Sequence, residues 1–370
     1  MSAKVALVRC EDYDSAKVES SVRRAVELLG GLGGLIKPGS RVLLKPNLLS
    51  ARLPEEGVDT HPEVVKAAAR LAKEAGGLIW VGDSPGGYGK NMDEIFEKSG
   101  MRKAASEEGV ELVKFNSSRS VNGLPVSRYL LDADAVISIP KFKTHGITTI
   151  TAGVKNMFGA ITGMFKAGCH SRAPKEGDFV KILAEVYSVA KPGLTILDAV
   201  VSMEGDGPAS GTLRNTGFIL ASLDAVALDA VAAKMIGLDP LAVASTRSCY
   251  ERGLGEADLA KIEIVGDDIG SFSLSDFKLP QTKAKVLKII PKAVANSVAS
   301  LVKFRPVIDE EACKRCNLCK LSCPVDCITI ERDRCEIDYK KCINCLCCHE
   351  VCPYRAVYIK RSMLAKVVWG

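Results

Sequence analysis

The chain has 370 residues, of which 47% are hydrophobic and 5% aromatic, with 14 cysteines and a formal net charge of +6. This composition is typical of an aliphatic-rich globular protein of two or three domains and excludes a disordered, collagen-like or coiled-coil chain. The sequence contains no run of about 18 uncharged apolar residues and no signal-peptide core. We therefore expect a cytoplasmic protein without a transmembrane segment.

The basic residues are concentrated in one segment. Residues 277–308 contain seven Lys and Arg side chains and no acid. Since a nucleic-acid-binding surface usually spreads over a whole domain, we expect no nucleic-acid partner. Pro291 and the apolar spacing that follows it predict a short amphipathic helix within residues 283–304. We interpret it as a linker helix, with contact to a membrane surface or to an acidic protein as the alternatives.

Residues 1–276 alternate short aliphatic runs with amphipathic segments, a rhythm that predicts an α/β domain with a mostly parallel sheet covered by helices. The predicted strands are Val5–Val8, Val42–Leu44, Leu78–Val81, Glu111–Phe115, Ala135–Ile139, Leu194–Val200, Phe218–Ala221 and Ile262–Val265. The predicted helices are Ser15–Leu29, Pro62–Ala75, Met92–Ser99, Phe179–Ala190 and Ala225–Ile236. A linker (277–305), a small α+β ferredoxin-like iron–sulfur domain (306–361) and a tail (362–370) are expected to follow.

Eleven of the 14 cysteines fall between Cys313 and Cys352. They contain two copies of the pattern C-x2-C-x2-C-x3-C-P, offset by 29 residues. Such clustering favours a metal module in a reducing compartment over a disulfide scaffold. A zinc module is the alternative, but zinc ribbons pair two short C-x2-C units and do not need the third and fourth cysteines before proline.

This segment resembles the two-cluster bacterial ferredoxin domain, in which the fourth cysteine of each motif serves the other cluster. The resemblance implies two [4Fe–4S] clusters, each with four cysteine ligands. One set is Cys313, Cys316, Cys319 and Cys352, and the other is Cys342, Cys345, Cys348 and Cys323. The repeat gives Cys327, Cys335 and Cys347 no ligand position, so their role stays open.

Polar residues follow the predicted strands of the α/β domain. They are Lys45, Asn47, Asp83, Ser84, Lys141, Lys143, Thr144, His145 and Asp198, with Lys155, Asn156, His170 and Glu204 in the loops that come after. Ligands of open α/β sheets bind outside the carboxyl ends of the strands. We therefore expect these loops to converge on one site.

The motifs that carry these residues resemble the DUF362 family. They are Leu44-Lys45-Pro46-Asn47, residues 82–87, residues 141–145, residues 151–159 and residues 198–208. The resemblance covers roughly residues 3–270, and many members of that family also carry a C-terminal two-cluster ferredoxin. It implies this architecture without specifying a reaction.

Four lysines would concentrate positive charge at the expected site, which favours a small carboxylate or phosphate ligand. They are Lys45, Lys141, Lys143 and Lys155. Neither a Walker A loop nor a G-x-G-x-x-G loop after a strand occurs, which disfavours ATP and NAD. We predict His145 and Lys155 as catalytic residues, with His145 as proton donor and His170 as the second choice. Asp198 and Glu204 are interpreted as acid–base partners, metal ligands or charge compensation.

The combination favours an iron–sulfur oxidoreductase in which electrons pass through two clusters to or from a small anionic substrate or an organic cofactor. Two alternatives remain. The chain is an electron-transfer subunit that docks a larger redox enzyme, or it is a non-redox enzyme whose clusters sense redox state. The expected partners are accordingly a redox protein such as a ferredoxin and a small anionic molecule.

Overall fold

A computed structural model describes residues 2–86, 91–162, 165–173, 176–272, 274–280, 304–332 and 334–361, without the side chains of residues 167, 170 and 361. Most of the predicted linker helix and the whole tail lie outside these ranges. Within the described part of the chain, every helix is too short or too polar to span a bilayer.

The main sheet belongs to the first 276 residues, and its strands run in the order β12-β1-β11-β10-β7-β2-β3-β4, with β8 on β10 and β9 on β8. These strands are β1 (Ala3–Arg9), β2 (Arg41–Pro46), β3 (Leu78–Asp83), β4 (Glu111–Lys114), β7 (Ala135–Ile139), β8 (Lys141–His145), β9 (Thr149–Thr151), β10 (Leu194–Glu204), β11 (Thr212–Ser222) and β12 (Ile262–Gly266). A separate hairpin pairs β5 (Ser118–Val121) with β6 (Leu124–Ser127). Most neighbours are parallel, and β11 pairs antiparallel with both β1 and β10. The predicted α/β class with a mostly parallel sheet is confirmed.

Helices cover both faces of this sheet. They are α1 (Ser15–Leu28), α2 (Pro62–Glu74), α3 (Met92–Lys98), α4 (Met101–Glu108), α5 (Arg128–Asp132), α6 (Gly153–Asn156), α7 (Phe165–Arg172), α8 (Glu176–Val189), α9 (Ala225–Met235) and α10 (Ala244–Glu251). Alternate residues of β1 serve two cores: Val5 and Leu7 pack with α8 and α9, while Ala6 and Val8 pack with α1 and α2. This alternation is the period of a strand buried on both sides.

The polar run after β7 is a strand rather than the loop that the sequence predicts. Pro140 ends β7, and the chain continues as β8 beside the second half of β10. All five residues of β8 are buried. The strand period places Lys141, Lys143 and His145 on one face, while Phe142 on the other face packs against Phe277 in the core. A strand this polar is stable in the interior only because its charged groups find partners there.

The C-terminal domain repeats one structural unit. Its first half holds β13 (Phe304–Ile308), α11 (Leu318–Leu321) and β14 (Ile328–Ile330), and its second half holds β15 (Cys335–Ile337), α12 (Cys347–Val351) and β16 (Val357–Arg361). Left-handed backbone conformations recur at the 29-residue offset, in the pairs Arg315/Asn344, Asn317/Leu346 and Asp326/Arg355. Since such conformations are uncommon outside glycine, their recurrence shows that the two halves share one backbone path.

Candidate functional site

Two cavities in the C-terminal domain are lined by cysteines. We call the first cavity I, which is lined by Cys313, Cys316, Cys319 and Cys352 together with Cys335. We call the second cavity II, which is lined by Cys323, Cys342, Cys345 and Cys348 together with Cys327 and Cys347. Each cavity thus collects three cysteines of one motif and the fourth of the other, the grouping that the ferredoxin resemblance implies. The donor sets fit a [4Fe–4S] cluster in each cavity.

The cysteines surround these cavities instead of converging on a point. Among the described residues, no three His, Cys, Asp or Glu side chains are arranged to hold a single metal ion. A structural zinc ion needs four donors at about 2.0–2.3 Å from one centre.

Backbone amides donate to one sulfur in each half of the repeat. The amide of Cys327 lies 3.4 Å from Sγ of Cys323, and the amide of Ala356 lies 3.3 Å from Sγ of Cys352. The two pairs are related by the 29-residue offset. Hydrogen bonds to ligand sulfurs are one of the means by which a protein sets a cluster potential.

The three cysteines without a ligand position all lie beside predicted ligands. Sγ of Cys327 is 3.4 Å from Sγ of Cys323, and Cys335 lines cavity I together with Cys319. Cys347 contacts Cys345 and lines both cavity II and a cleft between the two domains. Of the three, Cys347 alone connects the wall of a cavity with that cleft.

The interdomain cleft lies where the carboxyl ends of β2 and β3 and the α6 segment face α12. It has an empty volume of about 700 Å³, part of which is open to solvent. The α/β domain contributes residues 47–49 after β2 and residues 83–86 at the end of β3. It also contributes residues 155, 156, 158 and 159 and Lys166, and the C-terminal domain contributes Ser322, Cys347, Glu350 and Val351. Four predicted substrate-binding residues and the predicted catalytic Lys155 line it; the four are Asn47, Asp83, Ser84 and Asn156.

Lys45 does not line this cleft but bonds to two residues that do, Asp83 and Asn156. Its Nζ is fully buried and lies 2.7 Å from Oδ1 of Asp83. It also donates to Oδ1 of Asn156 at 3.4 Å. Burial lowers the pKa of Lys45, and the Asp83 carboxylate opposes that shift. A Cβ at Gly159 would come within 2.1 Å of Oδ1 of Asp83, so only glycine fits against the pair.

Lys155 is the basic group of the cleft that lacks a bonded partner. In the described part of the chain, its Nζ makes no hydrogen bond or ion pair, and it lies 5.8 Å from the centroid of the Phe158 ring. Burial lowers the pKa of Lys155, while the carboxylate of Glu350 acts in the opposite direction. An ammonium group held in this way is stabilised by an anion that enters the cleft.

A second polar cluster lies outside the cleft, on the buried face of β8. Nζ of Lys141 is 3.0 Å from Oδ2 of Asp198 and 2.5 Å from the hydroxyl of Tyr13, which donates to Oδ1 of Asp198 at 2.8 Å. The amide of His61 donates to Oδ2 of Asp198, and its ring stacks on Tyr13 at 3.6 Å. Burial lowers the pKa of His61 to about 4. Both charges of the Lys141–Asp198 pair are therefore compensated within the fold.

Three further predicted residues also bond within the protein. Lys143 donates to the carbonyl oxygen of Val58 at 2.5 Å, and burial lowers its pKa to about 7. Thr144 donates to the carbonyl oxygen of Met203 at 3.3 Å. Glu204 lies 3.2 Å from Arg214. Of the three roles considered for Glu204, this ion pair favours charge compensation over acid–base chemistry or metal binding. These three residues do not line the interdomain cleft, and their part in a common site stays a prediction. The side chain of His170 lies outside the described part of the structure.

His145 contacts the other domain instead of lining the cleft. Its Nδ1 accepts hydrogen bonds from the amides of Ile147 (3.1 Å) and Thr148 (3.3 Å), so Nε2 carries the proton that faces Glu350 at 3.1 Å. Burial lowers the pKa of His145 to about 4, and Lys155 adds to that shift. Both nitrogens of this neutral imidazole are engaged within the protein, and its role as proton donor stays a prediction.

Two further hydrogen bonds join the domains. Nη2 of Arg52 donates to the carbonyl oxygen of Cys352 at 3.0 Å, and the His349 ring lies 3.2 Å from the carbonyl oxygen of Asp206. Sequence reasoning missed Arg52, Ser322 and Glu350, because no motif in one domain signals a contact with the other. The 29-residue repeat was the available signal for Cys347, which stands out as an extra cysteine between two ligands.

Comparison with known proteins identifies both domains. Residues 42–234 match the model of a domain of unknown function, DUF362, and residues 306–329 match a 4Fe–4S binding domain. A thylakoid-associated protein of Synechocystis sp. is 40% identical over 304 residues, which cover 80% of this chain and 94% of that protein.

Two solved structures are more distant. The lactate racemase apoprotein of Thermoanaerobacterium thermosaccharolyticum has a TM-score of 0.37 and 14% identity, over 61% of this chain and 55% of that one. A Thermotoga maritima protein has a TM-score of 0.36 and 14% identity, over 67% of this chain and 60% of that one. The chain thus covers less than two thirds of either structure. The family match, the 40% identical relative and the cysteine repeat together establish that this chain belongs to the DUF362 family and carries a C-terminal 4Fe–4S ferredoxin domain.

Proposed function

We propose that the protein is an iron–sulfur oxidoreductase that exchanges electrons with a small anionic substrate, or an organic cofactor, bound in the interdomain cleft. The observation that carries the proposal is the position of Cys347, which borders cavity II on one side and the cleft on the other. Clusters ligated in cavities I and II would supply electrons one at a time. The 4Fe–4S domain by itself supports this electron-transfer capacity.

The charge of the cleft supports an anionic ligand. Lys155 and Lys166 both line it, and Lys155 has no bonded anion among the described residues. The acids that line the cleft are already engaged, since Asp83 pairs with Lys45 and Glu350 bonds to His145. An incoming carboxylate or phosphate would therefore meet an ammonium group without having to displace a carboxylate.

Hydrogen-bonding groups complement this charge. Among the residues that the structure describes, Oδ1 of Asn47 and Oγ of Ser322 are buried without a hydrogen-bond partner, and both residues line the cleft. Buried polar atoms are nearly always satisfied, so orphaned atoms in a cleft mark groups that a ligand or water completes. Asn47 can orient a hydroxyl or protonated oxygen of the substrate, while Lys155 holds its negative charge.

An electron-transfer subunit remains the second candidate. A wide groove beside cavity I favours it, because the groove offers a docking surface in addition to the cleft. The cytoplasmic location stays a prediction, and the relative's name raises a membrane-associated location as the alternative.

The test uses anaerobically purified full-length protein whose clusters have been reduced. Small acidic metabolites from a bacterial extract are separated by anion exchange, and each fraction is assayed for reoxidation of the clusters by visible absorbance. We expect at least one fraction to reoxidise the wild-type protein. Lys155→Met should lose this reaction while its iron content and its reduction by dithionite are unchanged. Equal reoxidation of both proteins by every fraction, or by none, would refute the proposal.

A matched control separates charge in the cleft from charge elsewhere. Lys181 is exposed on α8, where it pairs with Asp178 at the surface. Lys181→Met should therefore behave like the wild-type protein in every fraction. Mass spectrometry of molecules released on denaturation shows whether the wild-type protein, and not Lys155→Met, retains an organic compound.

A further inference from the structure

The two cysteine cavities differ in what lies beside them. Cavity II borders the interdomain cleft, whereas cavity I opens toward a groove on the outside of the molecule. Cys316 and Tyr354 line both cavity I and this groove, and Cys316 is exposed. The groove has an empty volume of about 1260 Å³, which includes space open to solvent. It is larger than the interdomain cleft, and it leads to the other set of predicted ligands.

The rim of this groove combines apolar and basic groups. Leu53 is 56% exposed and Tyr354 is 47% exposed, and both line the groove. Lys314 and Arg315 line the mouth of cavity I and are exposed, and no acidic side chain lines that cavity among the described residues. Exposed apolar side chains with basic groups beside them are typical of a protein-binding surface.

The other charges of the groove are balanced internally. Arg52 bonds to Glu56 at 2.6 Å, and Lys98 pairs with Glu94 at 3.1 Å. Lys314 has no ion pair in the described part of the chain. Lys314 therefore places a positive charge without an ion pair, within this part of the chain, beside the exposed Cys316.

We propose that this groove is the docking surface for a small acidic electron-carrier protein, which exchanges electrons with the cluster in cavity I. This inference rests on the proposed function and assigns a separate position to each of the two electron-exchange partners. The carrier meets the protein at cavity I, and the substrate meets it at cavity II. In the reducing direction one electron leaves the reduced carrier and one cluster is reduced, with no bond formed or broken. Charge complementarity accelerates such encounters by 10-fold to 1000-fold and makes them dependent on salt.

Stopped-flow reduction tests the proposal, with an acidic plant-type [2Fe–2S] ferredoxin as the probe. The reduced ferredoxin is mixed anaerobically with the oxidised full-length protein at increasing ionic strength. The second-order rate constant of the wild-type protein should fall as salt rises. Lys314→Glu/Arg315→Glu should react about 10-fold or more slowly at low salt, with little dependence on salt. The complex of oxidised ferredoxin and protein, measured by sedimentation, should weaken in parallel.

Controls separate docking from other effects. Lys181→Glu/Lys261→Glu makes the same change in net charge at exposed sites of the α/β domain and should react within about twofold of wild type. Dithionite should reduce all variants equally. Because the double variant lies near predicted ligands, Leu53→Glu provides a second probe in the other domain, and it should also slow the ferredoxin reaction.

The outcomes are distinguishable. Equal slowing by the two double variants, a Leu53→Glu protein that reacts like wild type, or a rate that is independent of salt would overturn the docking surface. The result with Lys155→Met and the anionic fractions does not enter this comparison. Failure of the proposed cleft chemistry is therefore recorded separately from failure of the docking surface.

Discussion

The Lys45–Asp83 pair provides a direct test of how the cleft is held together, because both side chains are almost fully buried and 2.7 Å apart. Asp83 accepts three donors: Nζ of Lys45 and the amide of Ser84 at Oδ1, and the amide of Leu48 at Oδ2. In Asp83→Asn, the carboxamide must turn its NH2 group toward one of these donors. The ammonium group of Lys45 then stays buried without a counter-charge.

The expected loss of stability in Asp83→Asn follows from the burial of the pair. Removing one partner of a buried ion pair costs about 3–5 kcal/mol, because the remaining charge is desolvated without compensation. We expect Asp83→Asn to lower the free energy of unfolding by that amount. The double variant Lys45→Met/Asp83→Asn should be more stable than Asp83→Asn alone, since it removes the orphaned charge. Asp134→Asn breaks the exposed Arg41–Asp134 pair and should cost less than about 1 kcal/mol.

The assay is anaerobic guanidinium unfolding followed by far-UV circular dichroism and by the fluorescence of Trp80, which lies on the strand that ends at Asp83. Iron content before unfolding shows that the variants carry the same clusters. A cost below about 1 kcal/mol for Asp83→Asn would contradict the buried-pair reasoning. So would a double variant that is less stable than the single one.

Three further expectations follow from the site. Gly159→Ala should destabilise the protein and weaken anion-dependent reoxidation, because the new Cβ would collide with the buried Lys45–Asp83 pair. Gly86→Ala, in the same cleft, is the control because a Cβ there meets open space. Its free energy of unfolding in guanidinium should remain within about 1 kcal/mol of the wild-type value. The pKa of His145 is about 4 in the folded protein, below its value of about 6.5 in the unfolded chain. The contribution of the neutral imidazole to folding stability is therefore fully present above about pH 6.5 and declines as the pH falls toward 4. Between pH 7 and pH 5, wild type should therefore lose about 2 kcal/mol relative to His145→Gln, and equal losses would exclude this role. Cys352→Ala should lose the cluster of cavity I and Cys323→Ala that of cavity II, each variant retaining about four of eight irons by colorimetric analysis, with different EPR spectra. Identical residual spectra would rule out the grouping.

Much of the fold could be predicted from the sequence because its strands are buried on both faces. Such strands form continuous aliphatic runs, and Val42–Leu44 and Leu78–Val81 were found in this way, within β2 and β3. The aliphatic pattern does not predict β8, because most of its residues are polar, although every one of them is buried. Charged residues usually lie at the surface, so the sequence pattern favours a loop at this position. Only the buried partners of Lys141 and Lys143, which the sequence does not reveal, stabilise a strand there.

The candidate site was half predictable for a related reason. Strand ends brought Asn47, Asp83 and Lys155 together, as the rule for open α/β sheets implies. The opposite wall of the cleft comes from the C-terminal domain, and Glu350 and Cys347 carry no signal in sequence that they face Lys155. The contact between the domains is set by surface fit and by a few hydrogen bonds, which local patterns do not encode.

We expect the cluster of cavity II to lie against the cleft and the cluster of cavity I to lie against the outer groove. A redox titration followed by EPR tests it with two single-charge variants. Removing a positive charge beside a cluster favours its oxidised state, so Lys155→Met should lower the potential of one cluster by about tens of millivolts. Lys314→Met should lower the potential of the other cluster. A shift of the same cluster by both variants, or of neither, would contradict the account.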